Sequence, residues 1–223
     1  MAAPIRASRE FIVVFPSMNR SVPSDCVYED RNKGGSVQSV QGLRTFSLVN
    51  VRGWPIAMFI DGACRGNGQA GARAAYGVYT AQNSPFNRNG VLPNWASHTS
   101  QAAEIYAARE AVLLILQDPE KERWKDGVVL ITDSDYLFKS MTRNIDNWIS
   151  NGFLDANGRP LVNGTAMSQL ETDIRSLEDW GIKILFWRVD REHNKADHLA
   201  NLALGPKVRR RRDSFESLGI EKE

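Results

Sequence analysis

Two apolar segments of the sequence each end at an aspartate, and this pattern limits the possible folds more than any other feature. The segment AMFIDG reaches Asp61, and the segment VVLITDSD reaches Asp133. Side chains alternate between the two faces of a strand, so each aspartate shares a face with the apolar residues two and four positions before it. The pattern predicts two strands that each carry a carboxylate at the end of an apolar face. An aspartate that only forms a turn is the alternative at each position.

The segments around these strands indicate an α/β fold. A second strand is expected in AYGVYT, and a third around Trp95 after a loop that contains Asn-Gly. Helical patterns occupy residues 99–117, 136–149 and 166–180. A last strand is expected in KILFWRV, followed by a short helix in NKADHLANLAL that Asn194 caps. This order of elements predicts a mixed sheet with helices on both faces.

The two ends of the chain differ from its centre. Residues 1–52 are predicted to form a partly irregular extension, with one or two strands within residues 11–15 and 46–51. Residues 53–205 are predicted to form one domain with a single core, and residues 206–223 a basic, flexible tail.

Composition excludes several classes of protein. The two cysteines, Cys26 and Cys64, are too few for a disulfide framework or a cysteine-rich zinc site. No apolar stretch approaches the roughly 18 residues of a transmembrane helix, and the apolar run near the N-terminus is too short for a secretory signal. We therefore expect a monomer without a membrane partner, located in the nucleus or cytoplasm. The early arginines leave a mitochondrial transit segment open as an alternative.

Positive charge is unevenly distributed along the chain. The sequence holds 28 basic and 26 acidic residues, for a formal net charge of +2. Five basic residues are clustered in the tail: Lys207, Arg209, Arg210, Arg211 and Arg212. The tail fits an import signal, a nucleic-acid contact or a solvated terminus. Residues 62–103 contain no acidic residue but include Arg65, Arg73 and Arg88. The phosphate backbone of a nucleic acid could therefore approach this stretch without repulsion.

Two further acids occupy unusual positions on predicted helices. Glu104 is in register with apolar residues 4, 7 and 11 positions later, which places its carboxylate on the packed side of the helix. Asp197 lies three residues after Asn194 on a helix with an apolar body. The alternatives are a favourable interaction with the helix dipole for Glu104 and helix capping for Asp197.

The four acids can converge if the two strands are neighbours and both helices pack over them. Clustered carboxylates raise one another's pKa values, and divalent cations relieve that repulsion. Ligation by oxygen atoms alone favours Mg²⁺ or Mn²⁺ over zinc. The sequence therefore predicts a site for Mg²⁺ or Mn²⁺.

Five segments, in this order and spacing, resemble type 1 ribonuclease H: FIDGACRGNG, TSQAAEIYAAREA, LITDSD, GRPLVNG and REHNKADHLANLAL. The resemblance covers about two-thirds of the chain. It implies a ribonuclease H-like fold, with a five-stranded mixed sheet flanked by helices. It also implies an endonuclease that hydrolyses the RNA strand of RNA–DNA hybrids with two Mg²⁺ ions, for which Mn²⁺ can substitute, leaving 5′-phosphate and 3′-hydroxyl ends.

The resemblance assigns roles to individual residues. The four carboxylates that it identifies as metal ligands are Asp61, Glu104, Asp133 and Asp197. It places Cys64, Asn67, Ser100, Gln101 and Glu104 near the 2′-hydroxyl groups of the RNA strand. It gives Thr99 and Asn163 to a phosphate of the DNA strand, although Thr99 and Ser100 are also natural helix caps and Asn163 a natural loop residue.

The sequence departs from the family pattern in two places. The loop before the last aspartate is shortened, so His193 is either an aid to proton transfer and product release or a solvated loop residue. The segment WISNGFLDANGRP has lost most of the basic residues of a substrate-binding handle. These departures leave two alternatives: a catalytically weak or silent module that binds nucleic acid or a protein, and a nuclease for another duplex such as double-stranded RNA.

Overall fold

A mixed β-sheet forms the centre of the protein in the computed structural model, which describes residue 9, residues 27–29 and 38–40, and residues 55–206. The strands are β1 (Val27–Glu29), β2 (Gln38–Val40), β3 (Ile56–Arg65), β4 (Arg73–Tyr79), β5 (Arg88–Val91), β6 (Val128–Thr132) and β7 (Ile184–Arg188). Five of them run side by side in the order β5-β4-β3-β6-β7. Strands β3, β4 and β5 are antiparallel, while β6 and β7 run parallel to β3. The predicted five-stranded mixed sheet is therefore confirmed.

Helices cover both faces of the sheet. They are α1 (Ser100–Gln117), α2 (Asp135–Lys139), α3 (Ile145–Asn151), α4 (Gly164–Asp179) and α5 (Asp197–Ala203). A π-helical turn, Ser140–Asn144, joins α2 to α3, and 3₁₀ turns occupy Lys121–Trp124 and Arg191–His193. The three longer helical patterns in the sequence thus correspond to α1, the α2–α3 unit and α4.

Alternation along β3 divides the core between the two faces. Ile56, Met58 and Ile60 pack with the apolar sides of α1 and α4. Ala57 and Phe59 point to the opposite face, where they join a smaller cluster that includes Ala196, next to α5. Helices α1 and α5 lie very close to the sheet, because α1 crosses β3 at Gly62 and α5 crosses β4 at Gly77.

The predicted third strand around Trp95 is wrong. Strand β5 comes earlier, at Arg88–Val91, and pairs with β4. The Asn-Gly dipeptide, expected to form a loop, lies inside this strand: Asn89 pairs with Gly77, and Gly90 with Tyr76. Trp95 follows in a turn and is 77% exposed. Pairing with an available strand edge outweighs the local turn preference of Asn-Gly here.

The N-terminal extension contacts the sheet at two places. Strand β2 pairs with the first residues of β3, and β1 pairs with β2. The strands expected within residues 11–15 and 46–51 lie outside the described residues. Arg9 lies beside β7, where its carbonyl oxygen accepts a hydrogen bond from the backbone N–H of Phe186 at 2.8 Å. Its buried guanidinium binds Glu171 and Glu178 of α4.

Within the described residues, no helix is long and apolar enough to cross a membrane. The division into residues 1–52, 53–205 and 206–223 stays a prediction.

Candidate metal site and nucleic-acid surface

Three of the four predicted carboxylates converge at the end of the sheet. One carboxylate oxygen from each of Asp61, Glu104 and Asp133 lies within 4.8 Å of the other two. Asp61 comes from β3, Glu104 from the first turns of α1, and Asp133 from the residue that follows β6. The cluster therefore joins three elements that are far apart in the sequence.

Sheet geometry explains why the two aspartates meet. Strands β3 and β6 are parallel, and their last paired residues are Phe59 and Ile131. Asp61 and Asp133 each come two residues later, so they share the same face and the same edge. Asp61 is 2% exposed and pairs in register with Gly77 of β4.

Glu104 reaches the same place from the opposite layer. Thr99 caps α1, and its hydroxyl oxygen accepts a hydrogen bond from the backbone N–H of Ala102 at 3.1 Å. This cap begins the helix at Ser100, directly above the end of β3, so that Glu104 lies over Gly62. The place of Glu104 in the three-carboxylate group thus matches the register predicted for it on the packed side of α1.

Burial, and to a smaller extent the neighbouring carboxylates, raises the pKa values of Asp61 and Glu104. Burial, followed by the charges of Asp133 and Asp197, raises the pKa of Asp61 from 3.8 to about 7. Burial, followed by the charges of Asp61 and Asp133, raises the pKa of Glu104 well above its usual value. Without a cation, the folded chain therefore favours the protonated forms of Asp61 and Glu104 more than the unfolded chain does.

The donor set fits a divalent cation. Asp61 Oδ2 and Glu104 Oε2 are buried oxygens that accept no hydrogen bond. Buried polar atoms without a partner are uncommon and require an explanation. A hard cation would satisfy both oxygens and relieve the repulsion, and ligands that are all oxygen match Mg²⁺ or Mn²⁺.

Asp197 lies outside this three-carboxylate group. It forms an ion pair with Arg191, and its second oxygen accepts a hydrogen bond from Asn201 at 3.1 Å. Its charge still contributes to the raised pKa of Asp61. The capping prediction is wrong in detail, because α5 begins at Asp197 with Ala196 as its cap, so Asp197 is the first helical residue rather than the third.

His193 is not among the three residues whose ligand atoms cluster. It ends the 3₁₀ turn Arg191–His193, its side chain is 30% exposed, and its Nε2 lies 3.5 Å from Glu192. A role for His193 in catalysis stays a prediction.

Two of the residues predicted to contact RNA bind each other. The backbone N–H of Ser100 donates to Asn67 Oδ1 at 3.2 Å, and Asn67 Nδ2 donates to Ser100 Oγ at 3.3 Å. This pair links the turn after β3 to the start of α1. Cys64 lies beside it, with its thiol 3.4 Å from the carbonyl oxygen of His98. Asn67 and Ser100 thus present a polar surface at the start of α1, four residues before Glu104, while Cys64 also packs against a small apolar cluster.

Asn163 and Gln101 extend this surface toward α4. Asn163 Nδ2 lies 3.2 Å from the hydroxyl oxygen of Tyr136 and 3.4 Å from Gln101 Oε1. A groove of about 290 Å³ opens beside them, between the start of α1 and the start of α4. Exposed Trp95 and Val162 lie on its rim.

Arg65 serves a structural purpose that the sequence did not reveal. Its guanidinium donates to the carbonyl oxygens of Leu204, Gly205 and Pro206, at 2.9, 2.5 and 3.2 Å. These contacts fasten the end of α5 to the end of β3. Pro206 is the first residue of the predicted basic tail, and residues 207–223 lie outside the described residues. Trp148, in the segment WISNGFLDANGRP, packs against the core.

A family model for RNase H matches residues 55–203, which include all four predicted carboxylates. The chain belongs to the RNase H family. The resemblance to type 1 ribonuclease H drawn from the sequence motifs is thereby confirmed.

Relatives of this RNase H chain match it over different shares of their own length. Ribonuclease H1 of Mus musculus is 32% identical over 127 residues, which is 57% of this chain and 41% of the mouse protein. Ribonuclease H of Clostridium botulinum is 27% identical over 150 residues, which is 67% of this chain and 95% of that protein. The chain thus spans less than half the length of its mammalian relatives.

Solved structures confirm the ribonuclease H-like fold. A foamy viral protease-reverse transcriptase in complex with dsDNA has a TM-score of 0.53 and 20% identity, covering 70% of this chain and 97% of that one. LC9-RNase H1, a type 1 RNase H with the type 2 active-site motif, has a TM-score of 0.50 and 22% identity, covering 67% and 71%.

Sequence reasoning missed two residues of the site. Arg191 neutralises Asp197, and its position in a charged, irregular loop gave no signal of this pairing. Asn194 was expected only to cap a helix, but its amide nitrogen also donates to Asp133 Oδ1. Only the spatial proximity of three chain segments reveals that contact.

Proposed function

We propose that this chain is an endoribonuclease that hydrolyses the RNA strand of RNA–DNA hybrids. The observation that carries the proposal is the group of Asp61, Glu104 and Asp133, which lies within the matched RNase H region and holds two buried oxygens without hydrogen-bond donors. A nucleic-acid module without catalytic activity has no need for such a costly cluster of charge.

Asp61, Glu104 and Asp133 would hold two divalent cations, Mg²⁺ with Mn²⁺ as a substitute, and Asp197 would join them once released from Arg191. Bound there, the cations would supply an activated water and stabilise the leaving 3′ oxygen, giving 5′-phosphate and 3′-hydroxyl ends. The buried positions of Asp61 and Glu104 fix the carboxylates before substrate arrives, which reduces reorganisation during the reaction.

Selectivity for RNA would come from the polar surface beside Glu104. The Asn67–Ser100 pair, together with Cys64 and Gln101, presents hydrogen-bonding groups that can recognise 2′-hydroxyls across a minor groove. Thr99 and Asn163 would position a phosphate of the DNA strand. Residues 62–103 carry no acid, so both strands can approach without repulsion.

Cleavage of a labelled RNA–DNA hybrid, with and without Mg²⁺, tests the proposal. DNA duplex, RNA duplex and single-stranded RNA serve as parallel substrates. We expect Mg²⁺-dependent cleavage of the hybrid, and no cleavage of any substrate at micromolar enzyme would refute the enzymatic function. Cleavage that prefers the RNA duplex would reassign the substrate.

Asp133→Asn identifies the metal site in the same assay. We expect this change to abolish cleavage while the circular dichroism spectrum stays that of the native protein. Glu122→Gln is the control, because Glu122 is an exposed acid in the 3₁₀ turn before β6, at the other end of that strand. Retained activity in Asp133→Asn would show that the metal site is misassigned.

One observation favours a second candidate, a module that binds nucleic acid without cleaving it. Asp197 is held by Arg191 rather than directed into the three-carboxylate group. Hybrid binding in the nanomolar to micromolar range, without cleavage at saturating Mg²⁺ or Mn²⁺, would favour this alternative.

A further inference from the structure

The side chain of Asn194 fills the space where β3 and β6 separate. Its Nδ2 donates to the carbonyl oxygen of Ile60 at 2.9 Å and to Asp133 Oδ1 at 2.7 Å. Its Oδ1 accepts from the backbone N–H of Ala196 at 3.1 Å. Asn194 is 6% exposed, so these contacts are made away from bulk water.

The contact with Ala196 fixes which way the amide points. A backbone N–H can only donate, so the atom of Asn194 that faces Ala196 must be the oxygen. The amide nitrogen is then directed toward Ile60 and Asp133, and both of its hydrogens are used. Every polar group of this buried side chain is therefore satisfied.

The position of Asn194 follows from the end of the strand pairing. The ladder between β3 and β6 stops at Phe59 and Ile131, which leaves the carbonyl oxygen of Ile60 without a partner on β6. A buried carbonyl needs a donor, and Asn194 supplies it. The same amide reaches the first carboxylate beyond the end of β6, that of Asp133.

We propose that Asn194 is a positioning residue for the metal site, which fixes the orientation of the Asp133 carboxylate and connects it to the segment that leads into Asp197. The inference rests on the metal site of the proposed function. With Oδ1 of Asp133 held by Asn194, rotation of the carboxylate is restricted. The contact with Ala196 ties this restraint to the residue immediately before Asp197.

Such partners are important for metal binding in general. Groups that hydrogen-bond to a ligand hold it in place before the ion arrives, and their removal typically weakens metal affinity or activity by about 10- to 100-fold. We expect a change of this size at Asn194. An effect confined to folding would leave the metal affinity of the folded protein unchanged.

Two substitutions separate positioning from folding. Asn194→Ala removes all three hydrogen bonds. Asn194→Ser keeps an oxygen near the backbone N–H of Ala196, as serine does in similar turns, but its shorter side chain does not reach Asp133. Asn89→Ala is the matched control, since Asn89 Nδ2 donates to the carbonyl oxygen of Leu199 on α5 at 3.0 Å and contacts none of the carboxylates.

The readout is Mn²⁺ affinity, measured by calorimetry and electron paramagnetic resonance without nucleic acid, with the melting temperature of each protein recorded in parallel. We expect Mn²⁺ to bind Asn194→Ala and Asn194→Ser about 10- to 100-fold more weakly, and Asn89→Ala with the wild-type affinity. Wild-type Mn²⁺ affinity in folded Asn194→Ser would overturn the proposal.

The outcomes distinguish this inference from the proposed function. A wild-type chain that binds Mn²⁺ but cleaves no duplex would refute the nuclease, while the comparison of variants would still decide the role of Asn194. A wild-type chain that binds no Mn²⁺ would overturn the role of Asn194 together with the metal site.

Discussion

Gly62 and Glu104 are in such close contact that only a hydrogen atom fits between them. A Cβ built on Gly62 would lie 2.4 Å from the backbone nitrogen of Glu104. On the other face of the sheet, a Cβ on Gly77 would lie 2.6 Å from the backbone nitrogen of Ala200 in α5. The two glycines therefore set how closely the helices that carry Glu104 and Asp197 approach the sheet.

Gly62→Ala should reduce both activity and stability. Because the obstructing atoms belong to the backbone of α1, the helix must move, and it carries Glu104 with it. Overpacking of this kind costs about 1 to 3 kcal/mol, whereas a displacement near 1 Å at a reacting group can reduce the rate by about 100-fold. Hybrid cleavage and urea unfolding measure the two effects.

Gly181→Ala is the control for this substitution. Gly181 has a φ of +80° and no atom within 4 Å of a Cβ, so alanine introduces backbone strain without a clash. It should lower stability by about 1 to 2 kcal/mol and leave kcat unchanged. Equal losses of activity in both variants would show that helix placement is not the cause.

Metal-free protein should lose stability as the pH rises through the range from about 4 to about 7. Folding raises the pKa of Asp61 from 3.8 to about 7, so the folded state binds more protons than the unfolded state within that window. Asp61 therefore contributes its stability fully below pH 4, and that contribution is lost as the pH passes 7. The melting temperature in EDTA should be lower at pH 8 than at pH 5.5.

Mg²⁺ should remove this pH dependence, because an ion that binds only the folded state stabilises it most where the carboxylates are ionised. Asp61→Asn should also reduce the pH dependence in EDTA, since it eliminates one of the carboxyl groups whose pKa is raised. A wild-type melting profile in EDTA that rises between pH 5.5 and pH 8 would contradict the assignment.

Arg9→Met should destabilise the fold by about 1 to 3 kcal/mol, because it removes the buried guanidinium that binds Glu171 and Glu178, while Arg175 stays paired with Glu171. The side chains of Arg9 and Glu171 are each only 5% exposed, and Arg9 also binds Glu178 at 2.8 Å. Urea unfolding measures the loss. Hybrid cleavage below the melting temperature should be unaffected.

The control for Arg9 is an exposed ion pair. Arg159→Met breaks the contact with Asp155, in which the arginine side chain is 73% exposed. Exposed pairs contribute about 0 to 1 kcal/mol, so little change is expected. If the two variants unfolded at the same urea concentration, Arg9 would not stabilise the folded state.

Removal of residues 207–223 should weaken hybrid binding in a salt-dependent manner. Arg65 fastens the chain up to Pro206 to the end of β3, beside the acid-free stretch, so the basic residues begin near the proposed nucleic-acid surface. Each phosphate contact adds about 0.9 to the slope of log affinity against log salt. The slope for the truncated chain, measured with Asp133→Asn to prevent cleavage, should be smaller by about 2 to 4.

Replacement of the five basic tail residues by glutamine separates charge from chain length. This variant should show the same reduced slope as the truncation. An unchanged slope in both would exclude the tail from the interface and leave the import signal and the solvated terminus as interpretations.

Much of the site followed from the sequence because local patterns encode it. Period-2 alternation placed Asp61 and Asp133 on the same faces as the apolar residues before them, and helical register placed Glu104 on the packed side of α1. Strand β3 continues past Asp61 to Arg65, whereas the sequence pattern predicted that it would end at Asp61. These three are the carboxylates that meet in the structure. Each position depends on neighbouring residues alone, together with the order of the elements.

The remaining features depend on contacts between distant segments. Two contacts depend on how the loop that contains Arg191 and Asn194 packs against the sheet. They are the ion pair of Arg191 with Asp197 and the hydrogen bond from Asn194 to Asp133. Strand β5 was misplaced because its Asn-Gly sequence favours a turn, and only the exposed edge of β4 overrides that preference. Arg9 gave no sequence signal, since its partners lie more than 160 residues away.

That separation has a consequence for how the protein is made. Arg9 and Glu171 are 162 residues apart in the chain. At ribosomal speeds of roughly 5 to 20 residues per second, Arg9 emerges on the order of 10 s before Glu171 has been synthesised. The N-terminal segment therefore cannot take its final place beside β7 until nearly all of the domain exists, which makes its docking a late event during synthesis.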